Sequence, residues 1–81
     1  MPPTVFIDGP LRFYFFSREE ARMHVHVQSP DGEAKFWLEP EIELALNKGL
    51  SAKALSKAEA LVRSHEQEIR GAWRSHFKLE G

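Results

Sequence analysis

The pattern of apolar and polar residues divides the chain into a strand-rich first part and a helical last part. The segments 4–7 and 11–17 are rich in β-branched and aromatic residues, and the Asp8-Gly9-Pro10 sequence between them is typical of a tight turn. The polar segment 17–22 indicates a loop. From Ser51 onward the apolar residues recur every three or four positions, which indicates a helix.

The segment 22–40, RMHVHVQSPDGEAKFWLEP, predicts a β-hairpin whose register follows from its apolar residues. A turn at Pro30-Asp31 that pairs Gln28 with Glu33 places every apolar residue of one strand opposite an apolar residue of the other. The predicted pairs are Val27 with Ala34, Val25 with Phe36, Met23 with Leu38, His26 with Lys35, and His24 with Trp37. Because successive side chains of a strand point to opposite faces, both histidines are predicted on the solvent face, away from the core.

The segment 41–46 alternates like a strand, although Pro40 and Gly49 would also bracket a short helix, and we predict a strand. Beyond it, one long amphipathic helix is predicted, with Ser51 as its N-cap. Its apolar stripe contains Leu55, Ala58, Val62, His65, Ile69, Ala72 and His76, and both of these histidines are interpreted as structural. The predicted fold is α+β: an antiparallel β-meander of four to five strands, covered on one face by this helix.

Composition limits the class of protein. With 81 residues, 42% of them hydrophobic, the chain is predicted to form a single domain over residues 1–81. It has no cysteine, no signal-peptide pattern and no apolar run long enough to span a membrane, so a cytoplasmic protein without membrane contact is expected. The net charge of -1 argues against binding duplex DNA through bulk counterion release. Because the chain has no cysteine to form disulfides, its stability must come from packing. A homo-oligomer is compatible with the sequence.

The histidine pair is the first candidate for chemistry. Because histidine changes charge near neutral pH, His24 and His26 are candidates for the base and the acid that cleave a phosphodiester through a 2'-hydroxyl. Lys35 would stabilise charge on the phosphate, and Trp37 offers a face on which a base could stack. These residues favour RNA as a target. The alternative is that the pair merely packs on the solvent side, and on either interpretation replacing both histidines with glutamine should barely change stability.

Two further interpretations stay open. Two imidazoles on one strand could bind a metal ion, but two ligands are too few, and no spacing fixes Glu39 or Glu20 as the third. We therefore assign no metal ligands and expect no cofactor. The aromatic run 13–16 alternates between faces, so the two rings that point away from the helix would form an exposed patch, with Tyr14 as a candidate binding residue. Such a patch suits a non-catalytic interaction module.

Four stretches of the chain occur in a distinctive order. They are TVFIDGPLRFYFFSREEARMHVHV (4–27), GEAKFWLEP (32–40), LNKGLS (46–51) and GAWRSHF (71–77). In this combination the chain resembles the bacterial domain-of-unknown-function family 4160 over nearly its whole length. That family usually has two prolines before the histidine pair, where this chain has Arg22 and Met23.

The resemblance implies a biological setting that spacing and composition do not show. Members of the family resemble the toxin half of type II toxin-antitoxin modules, encoded beside a small protein of domain-of-unknown-function family 2442 that neutralises them. The positions that match the family pattern are His24, His26, Lys35, Trp37, Leu38 and Pro40. The expected function is therefore that of a toxin that acts with a small protein partner and on RNA. An antitoxin-like interaction or regulatory module, or a metal-binding protein, is the alternative.

Overall fold

The computed structural model describes residues 4–16 and 22–78, which form five strands and two helices. The elements are β1 (Thr4–Asp8), β2 (Leu11–Tyr14), β3 (His24–Ser29), β4 (Gly32–Trp37), β5 (Glu43–Lys48), α1 (Ala52–Ser64) and α2 (Glu66–Lys78). The α+β prediction is confirmed. Most of the loop predicted over 17–22 lies outside the described residues. None of the helices in the described ranges is long and apolar enough to cross a membrane.

The strands form one antiparallel sheet in the order β1-β2-β3-β4-β5, so each strand pairs with its neighbour in the sequence. The predicted register of the β3-β4 hairpin is confirmed from Gln28 opposite Glu33 to His24 opposite Trp37. At the end of the hairpin, the Leu38 amide donates to the Met23 carbonyl at 2.9 Å. The strand predicted over 41–46 is also present, as β5, and its bounds lie two residues later.

The turn between β3 and β4 packs closely against the end of β5. Gly49 has φ +97°, a conformation that favours glycine, and its backbone approaches that of Gly32. A side chain at Gly32 would overlap the carbonyl oxygen of Lys48. These two glycines therefore allow the hairpin turn and the segment after β5 to come into direct backbone contact. The Glu39-Pro40 peptide bond, between β4 and β5, is cis.

The core lies between one face of the sheet and the two helices. Alternate residues of the strands point into it, as the apolar alternation predicted, and the helices supply the opposite side. Its largest fully buried apolar side chains are Phe13, Phe15, Phe36, Leu38, Ile69, Val25, Val27 and Val62. The predicted N-cap is confirmed, because the Ser51 hydroxyl accepts a hydrogen bond from the Ala54 amide at 3.1 Å.

The single long helix predicted from Ser51 onward is wrong in one respect, because the chain forms two 13-residue helices that meet at His65. The His65 backbone leaves the helical conformation at φ -104°, ψ 17°. Its ring stacks on Phe6 of β1, with 4.0 Å between centroids, and its Nδ1 lies 2.8 Å from the Glu68 carboxylate. Since only one residue departs from the helix, the apolar stripe continues nearly in phase, and periodicity could not reveal the break.

Arg70 of α2 links the helix to the sheet. Its Nη2 donates to the carbonyl oxygen of Leu38 at 2.7 Å, just after β4. Its Nε donates to Glu66 at 2.8 Å, in the acid-first spacing of four residues seen in the sequence. Because the guanidinium is charged, the hydrogen bond from Arg70 to the Leu38 carbonyl is charge-assisted, and it joins the helices to the sheet.

We expect the Arg70→Ala variant to lose about 1.5 to 3 kcal/mol of unfolding free energy, the range for a hydrogen bond from a charged group. The loss arises because the accepting carbonyl belongs to Leu38, which is fully buried. Arg74→Ala is the matched control, since Arg74 lies one turn further along α2 and is exposed; it should change stability by less than about 0.5 kcal/mol. Urea denaturation measures both, and equal losses would contradict the proposed link.

Candidate functional site

The face of the sheet opposite the helices carries the candidate site. Side chains on this face alternate with the buried core residues of the same strands, so they project from the other side of the strands. His24, at the start of β3, also contacts α2 through Trp73. We use the name sheet-face cluster for Arg12, Tyr14, Phe16, Arg22, His24, His26, Lys35 and Trp37. Arg22 and Phe16 flank the strands, and the other members lie on β2, β3 and β4.

His26 is at the centre of the cluster. It lies opposite Tyr14 on one side and opposite Lys35 on the other. Its ring centroid is 5.4 Å from that of Tyr14, 4.4 Å from that of Phe16 and 5.1 Å from that of His24. The structure therefore brings His26 and Lys35 together as predicted. It also adds two aromatic rings from the β2 segment as direct neighbours of the imidazole.

Three cations lie over two of the aromatic rings. The guanidinium carbon of Arg12 is 4.6 Å from the Tyr14 ring centroid. Over Trp37, the guanidinium carbon of Arg22 is at 4.1 Å and the ammonium nitrogen of Lys35 is at 4.3 Å. These are cation-π distances, so the rings hold the positive charges against the sheet. A base that stacks on Trp37 would have to share the ring with these two cations.

Arg12 and Arg22 also belong to the site, although neither was predicted to. Arg12 is held by hydrogen bonds from its Nε to Thr4 at 2.9 Å and from its Nη1 to Gln28 at 3.0 Å. Arg22 donates from Nε to the carbonyl oxygen of Glu39 at 2.8 Å. The alternation Leu11-Arg12-Phe13-Tyr14 already places Arg12 on the face of Tyr14, so a signal for Arg12 was present in the sequence.

His24 is not on the solvent face as predicted, because it is 0% exposed. Its ring meets His26 at 5.1 Å, Trp37 at 5.5 Å and Trp73 of α2 at 5.2 Å between centroids. Strand alternation correctly places His24 on the face of His26, but it could not show that a tryptophan from the second helix would pack against the imidazole. The expectation that His24 is solvent-exposed is therefore wrong, and its burial predicts that it contributes to stability.

The hydrogen bond of His24 fixes its tautomer. Nδ1 lies 2.7 Å from the carbonyl oxygen of Arg22, and since a carbonyl can only accept, Nδ1 carries the proton. Nε2 is buried as well. Of the predicted catalytic residues, His26 and Lys35 retain exposed surface and His24 does not. A mechanism in which both histidines reach the substrate therefore does not fit this arrangement.

The aromatic run is divided between the two faces. Phe13 and Phe15 are in the core, whereas Tyr14 and Phe16 point away from the helices. Tyr14 is itself buried beneath its neighbours, and Phe16 is 44% exposed. The predicted patch therefore presents one exposed ring, that of Phe16, and Tyr14 supports it from below with an edge-to-face contact at 5.5 Å.

The described residues do not supply a set of ligands for the metal-binding alternative. Within residues 4–16 and 22–78, no group of three or more histidine, aspartate or glutamate side chains could hold a metal ion. The Glu39 carboxylate, one of the two suggested third ligands, accepts a hydrogen bond from the Met23 amide at 3.2 Å. Glu20, the other, lies outside the described residues.

Comparison with known proteins gives a family. The model of a family described as Domain of unknown function (DUF4160) matches residues 11–74, a span that includes the whole sheet-face cluster. Searches of the curated proteins and of the solved structures gave no match. The matched span covers well over half of the chain, which therefore belongs to the DUF4160 family.

Proposed function

We propose that the protein is the toxin of a toxin-antitoxin module in the cytoplasm, that it acts with a small protein partner, and that it binds RNA through the sheet-face cluster. The observation that carries the proposal is the contact between cations and aromatic rings on the side of the sheet away from the helices. The resemblance of the family to toxins supports the biological setting. A partner like those of family 2442 would be encoded by the neighbouring gene.

The chemistry of the cluster favours single-stranded RNA. Unpaired bases stack on aromatic side chains, and their phosphates are neutralised by arginine and lysine. Phe16 offers an exposed ring, and Arg12 and Lys35 lie on either side of the central His26. At the edge of the cluster, Glu43 of β5 lies 4.0 Å from Arg22. The cluster thus brings together three cationic side chains, although the whole chain has a net charge of -1.

Any catalytic step in this proposal uses His26 and Lys35. His26 is the histidine of the pair that retains exposed surface, and this supports assigning to it the exchange of a proton with a 2'-hydroxyl of bound RNA. Lys35, directly opposite on β4, would stabilise the charge of the phosphate. The role of His24 is then to position His26, since the two rings are in edge-to-face contact.

A non-catalytic interaction module is the second candidate function. It is favoured by the apolar groups on the same side of the sheet, because Phe16 and Ile7 are both exposed. A small protein partner that covered them in a stable complex would bury about 1,200 to 2,000 Å² in total. In this case the cluster would be a docking surface and RNA would not be its ligand.

Binding of a labelled single-stranded RNA, measured by fluorescence anisotropy over a range of salt concentrations, tests the proposal. Lys35→Ala should weaken binding and lower the slope of log affinity against log salt by about 0.7, the contribution of one phosphate contact in a single strand. Phe16→Ala should weaken binding by about 1 to 3 kcal/mol if one base stacks on the ring. Lys53→Ala, at an exposed lysine of α1, is the matched control and should change neither quantity.

The same variants distinguish the two functions in cells. If the protein is a toxin that acts on RNA, its expression alone arrests growth, and Lys35→Ala relieves the arrest while Lys53→Ala does not. A parent protein that binds no RNA, but loses its protein partner when Phe16 is replaced, would favour the interaction module. Equal effects of the two lysine substitutions on RNA affinity would contradict the role given to the sheet-face cluster.

A further inference from the structure

The last strand of the sheet has an unusually accessible edge. In the described part of the chain β5 pairs with β4 alone, so its other side forms one edge of the sheet. Five of its six residues are exposed and the sixth, Ala45, is half-buried. Two of the exposed residues are Leu44 and Leu46, at 43% and 46%. An edge strand with exposed leucines and unpaired backbone groups is a template for pairing with another strand.

We propose that this edge is the site of self-association, where β5 pairs antiparallel with β5 of a second copy of the chain. Two copies related by a two-fold axis perpendicular to the sheet would then share one continuous sheet. The inference is independent of the proposed function, since it rests on the edge strand and not on the sheet-face cluster. The occupant is a second copy because the charges of β5 are complementary to those of the same strand running in the opposite direction.

The faces of β5 determine the register of this pairing. Glu43, Leu46 and Lys48 pair with β4 residues whose side chains are on the same side of the sheet as the sheet-face cluster. Leu44 and Asn47 lie opposite β4 residues that are buried in the core. Residues that face each other across an antiparallel pair are on the same side of the sheet. Glu43 can therefore lie opposite Lys48, Leu46 or Glu43 of the second copy, and of these only Lys48 carries the opposite charge.

The register that pairs β5 over its full length matches the faces at both ends of the strand, and Ala45 and Leu46 fall opposite each other at the irregularity of β5. Placing Glu43 opposite Lys48 of the second copy also places Leu44 opposite Asn47, and both of these pairs match in face. A shift by one residue places Glu43 opposite Asn47, which lies on the other side of the sheet. In the matching register, symmetry gives two Glu43-Lys48 pairs of opposite charge, one at each end of the shared strands. Opposite charges across a strand pair stabilise the sheet, and like charges destabilise it.

The pairing has a consequence for the whole surface of the dimer. Because the axis is perpendicular to the sheet, the helices of both copies lie on one side and both sheet-face clusters lie on the other. The clusters are then separated by the two β5 strands. Trp37 lies directly opposite Glu43, so the tryptophan-bearing edge of each cluster is next to the shared strands. The dimer would thus present two cationic surfaces on one continuous sheet.

Charge reversal and its rescue test the inference. Sedimentation velocity of the full chain over a concentration series should show a monomer-dimer equilibrium for the parent. Lys48→Glu or Glu43→Lys alone should raise the dimer dissociation constant at least tenfold, because each places like charges across the pair. The double variant Glu43→Lys/Lys48→Glu should restore dimerisation. Lys53→Glu, an exposed lysine of α1, is the control and should leave the dissociation constant unchanged.

A second measurement on the parent covers the case in which a single variant fails to fold. Amide hydrogen exchange in β5 should slow as the protein concentration rises, because the second copy accepts hydrogen bonds from the edge amides. Exchange rates in α1 serve as the internal reference. A parent that remains monomeric at a concentration of several hundred micromolar would overturn the inference. So would a folded double variant that stays monomeric while the parent dimerises.

Discussion

Replacing Ile69 with alanine is expected to lower the free energy of unfolding by about 2 to 5 kcal/mol. Ile69 is fully buried in α2 and belongs to the cluster between the sheet and the helices. The substitution removes apolar atoms and leaves a cavity, and the surrounding side chains can fill this cavity only in part. Small domains are stable by only about 5 to 15 kcal/mol, so the loss is a large fraction of the total. Urea denaturation followed by circular dichroism measures it.

The matched control for this experiment is Ile7→Ala, which removes the same atoms from an exposed side chain. Ile7 is 65% exposed on β1, and its substitution should change stability by less than about 0.5 kcal/mol. Both variants should be compared at one protein concentration, because self-association would shift the apparent stability. Equal midpoints for the parent and Ile69→Ala would show that α2 does not pack on the sheet as described.

The second large effect is expected for His24→Gln, at about 1 to 3 kcal/mol of lost stability. Glutamine has no ring to pack against Trp37 and Trp73, and it would have to keep the buried hydrogen bond to the Arg22 carbonyl with a different geometry. His26→Gln is the comparison, since His26 retains exposed surface. Its loss of stacking should cost about 1 kcal/mol or less.

The two histidine variants should also differ in function. If His26 exchanges protons with bound RNA, His26→Gln abolishes growth arrest in a protein that still folds and still binds its partner. His24→Gln should reduce activity together with stability, because it acts through the fold. The double variant is not expected to be additive, since the two rings are in contact. A His24→Gln variant that melts with the parent would show that the burial of this ring contributes nothing to stability.

The sequence was sufficient to predict the parts of the fold that depend on neighbouring residues. The β3-β4 register followed from apolar alternation around a short turn, because a slip of one residue would have moved Val25 and Val27 to the solvent face. The N-cap at Ser51 followed from local hydrogen-bonding chemistry. These features depend on pairs of residues that are close in sequence or tied together by a turn.

The features that the sequence did not reveal depend on contacts between distant segments. His24 is covered by Trp73, and Arg70 reaches the carbonyl of Leu38, so both contacts join α2 to the sheet. Periodicity shows which face of an element is apolar, but it does not show where that element lies relative to the ends of the strands. The break at His65 is hidden for a related reason, because the ring that packs on Phe6 belongs to a position that also fits the helical stripe.

The order of the strands also determines what a ribosome-bound chain exposes. Because each strand pairs with the one that precedes it in sequence, the sheet can assemble one strand at a time as it emerges, without waiting for a distant partner. The helices come after the sheet in the sequence, so Phe13, Val25 and Phe36 lack the full cover of α1 and α2 until both helices have been synthesised. At about 5 to 20 residues per second, this interval lasts on the order of a few seconds. During that time the nascent protein presents an apolar sheet to the cell, and a chaperone that binds extended apolar surfaces would shield it.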